Sequence, residues 1–347
     1  MLDDANVMKQ RDPENALGVA ADQWQQVDYD AVVADGGRGG DITKVVVAGM
    51  GGSALAALLV KAWLQDKLTV PFEVVREYDL PAHVDASTLV IASSYSGNTE
   101  ETLNCLERAE QRSAKIGVLA AGGKLVERAE SAQLPRVVIP SGLQPRMAVL
   151  FNLKALVALL ADFGVVSADL VNEVAAAGDW LKGESDQWLP DVHTDKNYAK
   201  QLALLAVGKT AVFYGGRLTG PAAYKWKISW NENAKNVAVT NVYPEVNHNE
   251  FIGWSSHPVD KPFAVFDLKS SFENPRILKR FEITDRLLSG LRPKAVPIEL
   301  AGDTALKQLL WASILADFVS IYVAILNGVD PTPVDLVEKL KHELADA

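Results

Sequence analysis

A single cysteine, Cys105, stands in 347 residues, which excludes an internal disulfide and a cysteine-ligated zinc site. Basic charge is also short. Lysine and arginine number 34 against 44 aspartates and glutamates, a formal net charge of −10. Nucleic acids and anionic membranes are unexpected partners, since either needs clustered cations. The opening stretch, MLDDANVMKQRDPENAL, has no basic segment followed by an apolar core. No secretory signal is therefore expected, and a reducing cytoplasm is the expected compartment. One apolar run, LLWASILADFVSIYVAILNGV at 309–329, is long enough to suggest a membrane span. Asp317 near its middle argues otherwise, because an aspartate at the bilayer centre costs about 2.5–3.5 kcal/mol. With Ser313 and Ser320 adding polarity, the run reads as a buried helix of a soluble domain.

What the sequence does contain is alternation. The length suits two domains or one large α/β domain. Residues up to about 34 read as helix, and DGGRGGD (35–41) reads as a flexible connector, because four glycines leave no side chain to stiffen it. Strand-like runs follow at 44–50, 72–78, 87–94, 115–121 and 136–140, separated by helical stretches and closed by a long helix at 147–166. A second series has strands at 210–216, in NVAVTNVY, at 263–268 and at 295–300, with helices at 220–236, 274–291 and 304–327. A last helix opens at PTPVDLVEKLKHEL (331–344), where proline suits the first turn. Apolar strands alternating with helices imply parallel sheets covered on both faces. The expected class is α/β, with two domains of this plan at 41–166 and 201–347. An N-terminal helical segment and connector at 1–40 precedes them, and a crossover at 167–200 joins them.

SSYSGNTEETL (93–103) puts a run of small hydroxyls where a strand feeds a helix. Backbone N–H groups are unsatisfied there and the helix dipole adds about half a positive charge, so a phosphate suits the place. Ser94, Ser96 and Thr99 can add O–H donors, and Gly97 lets the backbone approach closely. A helix N-cap would account for one hydroxyl but not for several. An earlier strand-to-helix turn, GMGGSA (49–54), brings Gly51, Gly52 and Ser53 to the same crevice. That turn nearly fits a dinucleotide-binding fingerprint, with Glu73, Glu77 and Asp79 near the position of the expected acidic residue. The second, hydroxyl-rich turn favours a monophosphate.

GMGGSA followed about forty residues later by SSYSGNTEETL resembles the sugar isomerase (SIS) domain. The resemblance covers almost the whole chain and is closest to the bifunctional phosphoglucose/phosphomannose isomerases, which carry two such domains. It implies two αβα sandwiches that bind phosphosugars, and interconversion of glucose 6-phosphate, mannose 6-phosphate and fructose 6-phosphate through a cis-enediolate. No metal or redox cofactor is implied. Within NENAK, Glu232 matches the family's proton-transfer base. In PEVNHNEFIGW, His248 matches the ring-opening histidine, which in the wider family reaches the active site from the neighbouring subunit. A homodimer with shared active sites is the corresponding expectation. In SGLQPRMAVL, Arg146 matches the guanidinium that stabilises the enediolate, a suitable group because it stays protonated.

DPTPVDLVEKLK aligns with the segment carrying the family's lysine, which puts that role on Lys339, with Lys341 as the fallback. Thr332 stands where glucose-only relatives carry a bulkier glutamine, which implies activity on both C2 epimers. Taken without the resemblance, these residues read more plainly: Glu232 as a solvated helix-end carboxylate, His248 as a surface or packing residue, Lys339 as a solvated lysine on an amphipathic helix. Ala54 and Asn247 are small departures from the pattern; Asn247 stands beside the histidine.

A non-catalytic phosphosugar sensor uses the same kind of domain. Such regulators need a DNA-binding or partner module, and this acidic chain has no helix-turn-helix or basic patch. An amidotransferase's isomerase half is a weaker reading still, because no N-terminal cysteine is present to release ammonia from glutamine.

Overall fold

The computed structural model describes residues 1–37 and 39–345; Arg38, inside the glycine-rich connector, and the last two residues lie outside the described residues. Five strands, β1 (Lys44–Ala48), β2 (Phe72–Val75), β3 (Thr88–Ser94), β4 (Lys115–Ala120) and β5 (Arg136–Val138), form one sheet in the order β2-β1-β3-β4-β5. Four more, β6 (Thr210–Gly215), β7 (Ala238–Val242), β8 (Phe263–Lys269) and β9 (Val296–Glu299), form a second sheet in the order β7-β6-β8-β9. Every pairing in both sheets is parallel.

β1 shows why. Val45 and Val47 enter one apolar core, while Val46 and Ala48 enter another. Successive side chains of a strand point to opposite faces, so a strand apolar at every position needs helices on both sides. β3 repeats the pattern, with Leu89 and Ile91 on one side and Val90 and Ala92 on the other.

Two short helices, α1 (Ala5–Arg11) and α2 (Ala16–Ala21), and a 3-10 turn at Asp22–Val27 take the place of the one N-terminal helix expected. Asp12 is the reason: its carboxylate accepts the Ala16 and Leu17 amides at 2.7 and 2.9 Å and starts a new helix. In the first domain follow α3 (Gly51–Leu64), α4 (Glu100–Gln111), α5 (Gly123–Ser131) and α6 (Val149–Asp162). The crossover at 167–200 is itself mostly helical, with α7 (Asp169–Ala175), α8 (Gly178–Ser185) and the start of α9 (Tyr198–Ala206). Its Asp, Gly and Lys content masked the apolar positions Leu170, Val174, Leu181 and Trp188, all of which are buried in the main core.

The second domain adds α10 (Gly220–Glu232), α11 (Glu250–Gly253), α12 (Pro275–Leu287), α13 (Ala305–Asn327) and α14 (Asp335–Ala345). The main core runs between the two sheets and unites them. Val45 and Leu89 of the first sheet share it with Phe213 and Phe266 of the second, and Leu55 of α3, Leu153 of α6, Trp226 of α10 and Phe318 of α13 fill the space between. Each such side chain contributes about 1.5–3 kcal/mol on full burial. α13 is long and apolar enough to cross a membrane, yet 94% of its most apolar window is buried inside this fold. It runs from the Thr304 cap to Gly328, whose left-handed φ of 73° closes it.

Candidate active site

β1 and β3 are neighbours, so the turns that follow them lie side by side. Ser53 ties them together: its Oγ accepts the Tyr95 amide at 3.1 Å. Ser94 Oγ accepts the Gly97 amide at 3.2 Å and shares a hydrogen bond of 2.7 Å with Thr99 Oγ1. Ser96 is exposed, and its Oγ accepts the Asn98 amide at 3.3 Å. Thr99 occupies the N-cap of α4 but makes no side-chain cap hydrogen bond. The capping explanation for the hydroxyls therefore fails. The first amides of α4 remain uncapped, and those of Gly51 and Gly52 have no acceptor among the described residues. Gly97, at φ 69°, must be glycine, because a Cβ there would meet the Gly122 carbonyl oxygen at 1.8 Å.

A third segment closes over these turns. A Cβ on Gly52 would lie 2.5 Å from the Pro145 carbonyl oxygen, so glycine lets the 3-10 turn Pro145–Met147 sit directly on the start of α3. Tyr95 reinforces the contact, its OH donating to the Pro140 carbonyl at 3.1 Å and accepting the Leu143 amide at 3.0 Å. That turn delivers Arg146. The guanidinium is 2% exposed, and its Nη1 lies 3.2 Å from Glu232 Oε2 at the C-terminal end of α10. Nε donates to Asn233 Oδ1 at 2.6 Å, and Nη2 donates to the Pro331 and Thr332 carbonyls at 2.9 and 2.8 Å. Burial pulls the Arg146 pKa down, while Glu232 and Asp317 pull it back, so the group remains a cation. Glu232 is about one-third exposed, open enough to meet a ligand yet held by an ion pair. Thr332 Oγ1 is buried and makes no hydrogen bond among the described residues.

The fold thus joins Gly51, Gly52, Ser53, Ser94, Thr99, Arg146, Glu232 and Thr332 in one region, with Ser96 at its rim. Two expected residues stand apart. His248 follows a 3-10 turn at Glu245–Asn247, is exposed, and makes no side-chain hydrogen bond or ion pair among the described residues. Asn247 turns away from it, donating to Thr284 Oγ1 at 2.7 Å and accepting from Arg280 at 3.0 Å. Lys339 lies on α14, 73% exposed, and its ion pair is with Glu343 at 3.7 Å. The fallback, Lys341, pairs with Glu338 at 2.7 Å.

The lysine that does reach the site is one the sequence reading passed over. Lys235 Nζ donates to the Glu232 carbonyl at 2.5 Å and to the Pro331 carbonyl at 3.0 Å. Burial, with the nearby Arg146 charge adding to it, lowers its pKa to about 8. Its place inside the NENAK segment was the signal available. No group of three or more His, Cys, Asp or Glu side chains able to hold a metal ion occurs among the described residues.

Residues 41–134 match the SIS domain model, and residues 195–344 match the model for the bacterial phospho-glucose isomerase C-terminal SIS domain. A bifunctional phosphoglucose/phosphomannose isomerase from Caldicellulosiruptor bescii is 38% identical, over 88% of this chain and 91% of that protein. The chain belongs to the bifunctional phosphoglucose/phosphomannose isomerase family. The relative of the same description from Aquifex aeolicus is 32% identical, over 86% of this chain and 90% of its own. Among solved structures, a glucose-6-phosphate isomerase like protein from Thermus thermophilus superposes with a TM-score of 0.66 at 19% identity, covering 98% of each chain. That likeness bears on the fold: tandem SIS domains with parallel sheets between helical layers.

Proposed function

We propose that this protein is an aldose–ketose isomerase that interconverts glucose 6-phosphate and mannose 6-phosphate with fructose 6-phosphate. The observation that carries the reading is the Glu232–Arg146 pair at 3.2 Å, seated against a cradle of uncapped amides and hydroxyls. The phosphate dianion binds the amides of Gly51 and Gly52 and the hydroxyls of Ser53, Ser94, Ser96 and Thr99. Ring opening uses His248 and Lys339 as acid and base, two groups that stand apart from the site in an isolated protomer and are brought to it by assembly of the dimer. The Glu232 carboxylate then removes the proton from C2 of the aldose, and the electrons move to O1 to give a cis-enediolate. Arg146 stabilises that developing charge from a buried position, where a fixed cation acts most strongly. Glu232 returns the proton to C1, while a proton passes between O1 and O2, and the ketose results. No step requires a metal or a redox cofactor.

Glucose and mannose 6-phosphates are C2 epimers that share this enediolate. Accepting both requires space for rotation about C2–C3, and Thr332 is smaller than a glutamine. Its buried hydroxyl has no hydrogen-bond partner among the described residues.

The active unit is a homodimer with shared sites, in the cytoplasm. Two features support the dimer. His248 is exposed with no side-chain partner among the described residues, and α14 exposes Leu336, Leu340 and Leu344 at four-residue spacing along one face. The sensor alternative is not favoured, because the relatives are described as isomerases.

Glu232→Gln tests the assignment. The variant should bind a fructose 6-phosphate analogue with unchanged affinity and lose isomerisation of both aldoses by several orders of magnitude. Retained turnover would reject the assigned base.

A further inference from the structure

Asp317, the residue that argues against a membrane span, belongs to a fully buried ion pair. Asp317 and Lys225 are both 0% exposed, and Lys225 Nζ donates to the two carboxylate oxygens at 2.7 and 2.8 Å. The carboxylate also accepts from Gln23 Nε2 at 2.8 Å and from Ser229 Oγ at 2.7 Å. Such a pair is an expensive way to hold a core together. Two charges lose their hydration, and well-packed apolar residues of similar volume usually stabilise as much or more.

What the pair touches next suggests why it is there. Lys225 Nζ donates its remaining proton to the backbone carbonyl of Arg146 at 2.8 Å. Asn233, which accepts from Arg146 Nε, donates in turn to Ser320 Oγ at 2.9 Å, one turn of α13 from Asp317. Arg146 is therefore gripped at its backbone by Lys225 and at its side chain by Asn233, and both grips are anchored on α13. Charges alternate in sign along the line Glu232, Arg146, Asp317, Lys225. Burial lowers the pKa of both Arg146 and Lys225, and the carboxylates beside them oppose that shift.

We propose that Asp317 and Lys225 are positioning residues, a buried pair that fixes Arg146 against Glu232 for the isomerisation. The proposal rests on the catalytic reading of Arg146 and Glu232. It goes beyond that reading by assigning the geometry of the guanidinium to residues that never touch the substrate.

The test is the apolar exchange Lys225→Met with Asp317→Leu, measured beside Arg146→Ala and Lys200→Met. Lys200 is an equally buried lysine that serves Asp3 and the carbonyls of Pro190 and Val192, away from the site. The exchange should fold with a melting temperature near that of the parent, yet lose roughly 100-fold in kcat with KM changed less than about threefold. Lys200→Met should lower the melting temperature and leave kcat unchanged. If the exchange keeps full kcat while Arg146→Ala loses it, the positioning proposal is overturned and the catalytic reading stands. If Arg146→Ala itself keeps kcat, the catalytic reading falls first. Should the exchange not fold, Ser229→Ala takes its place, removing one hydroxyl from Asp317. A fall of about fivefold in kcat at unchanged KM supports the pair's role, and an unchanged kcat refutes it.

Discussion

In the first domain the turns after β1 and β3 meet over hydroxyls; in the second, the matching turns after β6 and β8 meet over a carboxylate. The match is topological, because β1 and β6 hold second place in their sheets and β3 and β8 hold third. Where Ser53 Oγ joins the first pair of turns, Glu273 joins the second. Its Oε2 accepts the Leu218 amide at 2.9 Å and its Oε1 accepts the Asn274 amide at 3.2 Å. Glu273 is buried so tightly that a Cβ on Gly216 would meet its Oε2 at 2.2 Å. A buried carboxylate receiving amides near a helix N-terminus does what a bound phosphate would do. The second domain thus carries its own anion, while the first leaves its amides and hydroxyls without one among the described residues. The helices are used from opposite ends as well: α3 offers its N-terminal amides, and α10 offers Glu232 at its C-terminal end. Repeating a fold does not repeat its site, because one carboxylate is enough to close the second copy.

The sharpest way to break this comparison is to alter both crevices. Ser94→Ala with Thr99→Val should raise KM for fructose 6-phosphate at least tenfold in steady-state assays. Glu273→Ala should leave KM unchanged and lower the melting temperature by several degrees, because the buried Leu218 amide loses its acceptor at about 1–3 kcal/mol. Millimolar inorganic phosphate should recover part of that loss in a thermal shift assay. A KM effect of Glu273→Ala equal to that of the serine variant would erase the distinction between the halves.

A second-domain lysine held against the Glu232 carbonyl gives a smaller, pH-dependent effect. Lys235 has a pKa lowered to about 8, and as a cation it donates to the carbonyls of Glu232 and Pro331. Activity should therefore decline as pH rises through about 8, and Lys235→Arg, which does not lose its proton, should move the decline upward by at least one unit. Stability moves the other way. Between about 8 and the ordinary lysine value of 10.5 the unfolded chain binds more protons, so this group's contribution to stability rises with pH. A pH–rate profile and a pH series of melting temperatures separate the two.

The smallest effect belongs to the closed half. Asp267 is buried in β8, its Oδ1 has no hydrogen-bond partner among the described residues, and desolvation pushes its pKa up to about 7. Its folded pKa lies above its unfolded one, so its contribution is present below about 4 and is lost as pH rises through 7. Asp267→Asn should raise the melting temperature by a few degrees at pH 8, do little at pH 4, and leave kcat unchanged. No gain at pH 8 would mean that Asp267 is compensated in a way its neighbours do not explain.

Local pattern carried much of this to the reader of the sequence. Unbroken apolar strands such as KVVVA declared a sheet covered on both faces, and the hydroxyl run declared a turn with more donors than a cap requires. What was illegible depends on distant meetings. Glu273 reaches a turn 55 residues earlier in the chain, Lys225 finds its counter-ion 92 residues later, and Arg146 fastens carbonyls at 331 and 332. Lys235 was hidden for a nearer reason. Its backbone takes a left-handed φ of 56° at the chain reversal after α10, which turns a helix-end lysine back onto the Glu232 carbonyl.

A structure of the protein with glucitol 6-phosphate, an open-chain phosphate with no carbonyl to isomerise, tests the central claim most directly. The account predicts the phosphate within hydrogen-bonding distance of the Gly51 and Gly52 amides and the hydroxyls of Ser53, Ser94, Ser96 and Thr99. It also predicts the Glu232 carboxylate about 3–3.5 Å from C1 and C2. A phosphate seated among the second domain's turns, or a Glu232 carboxylate out of reach of both carbons, would contradict it.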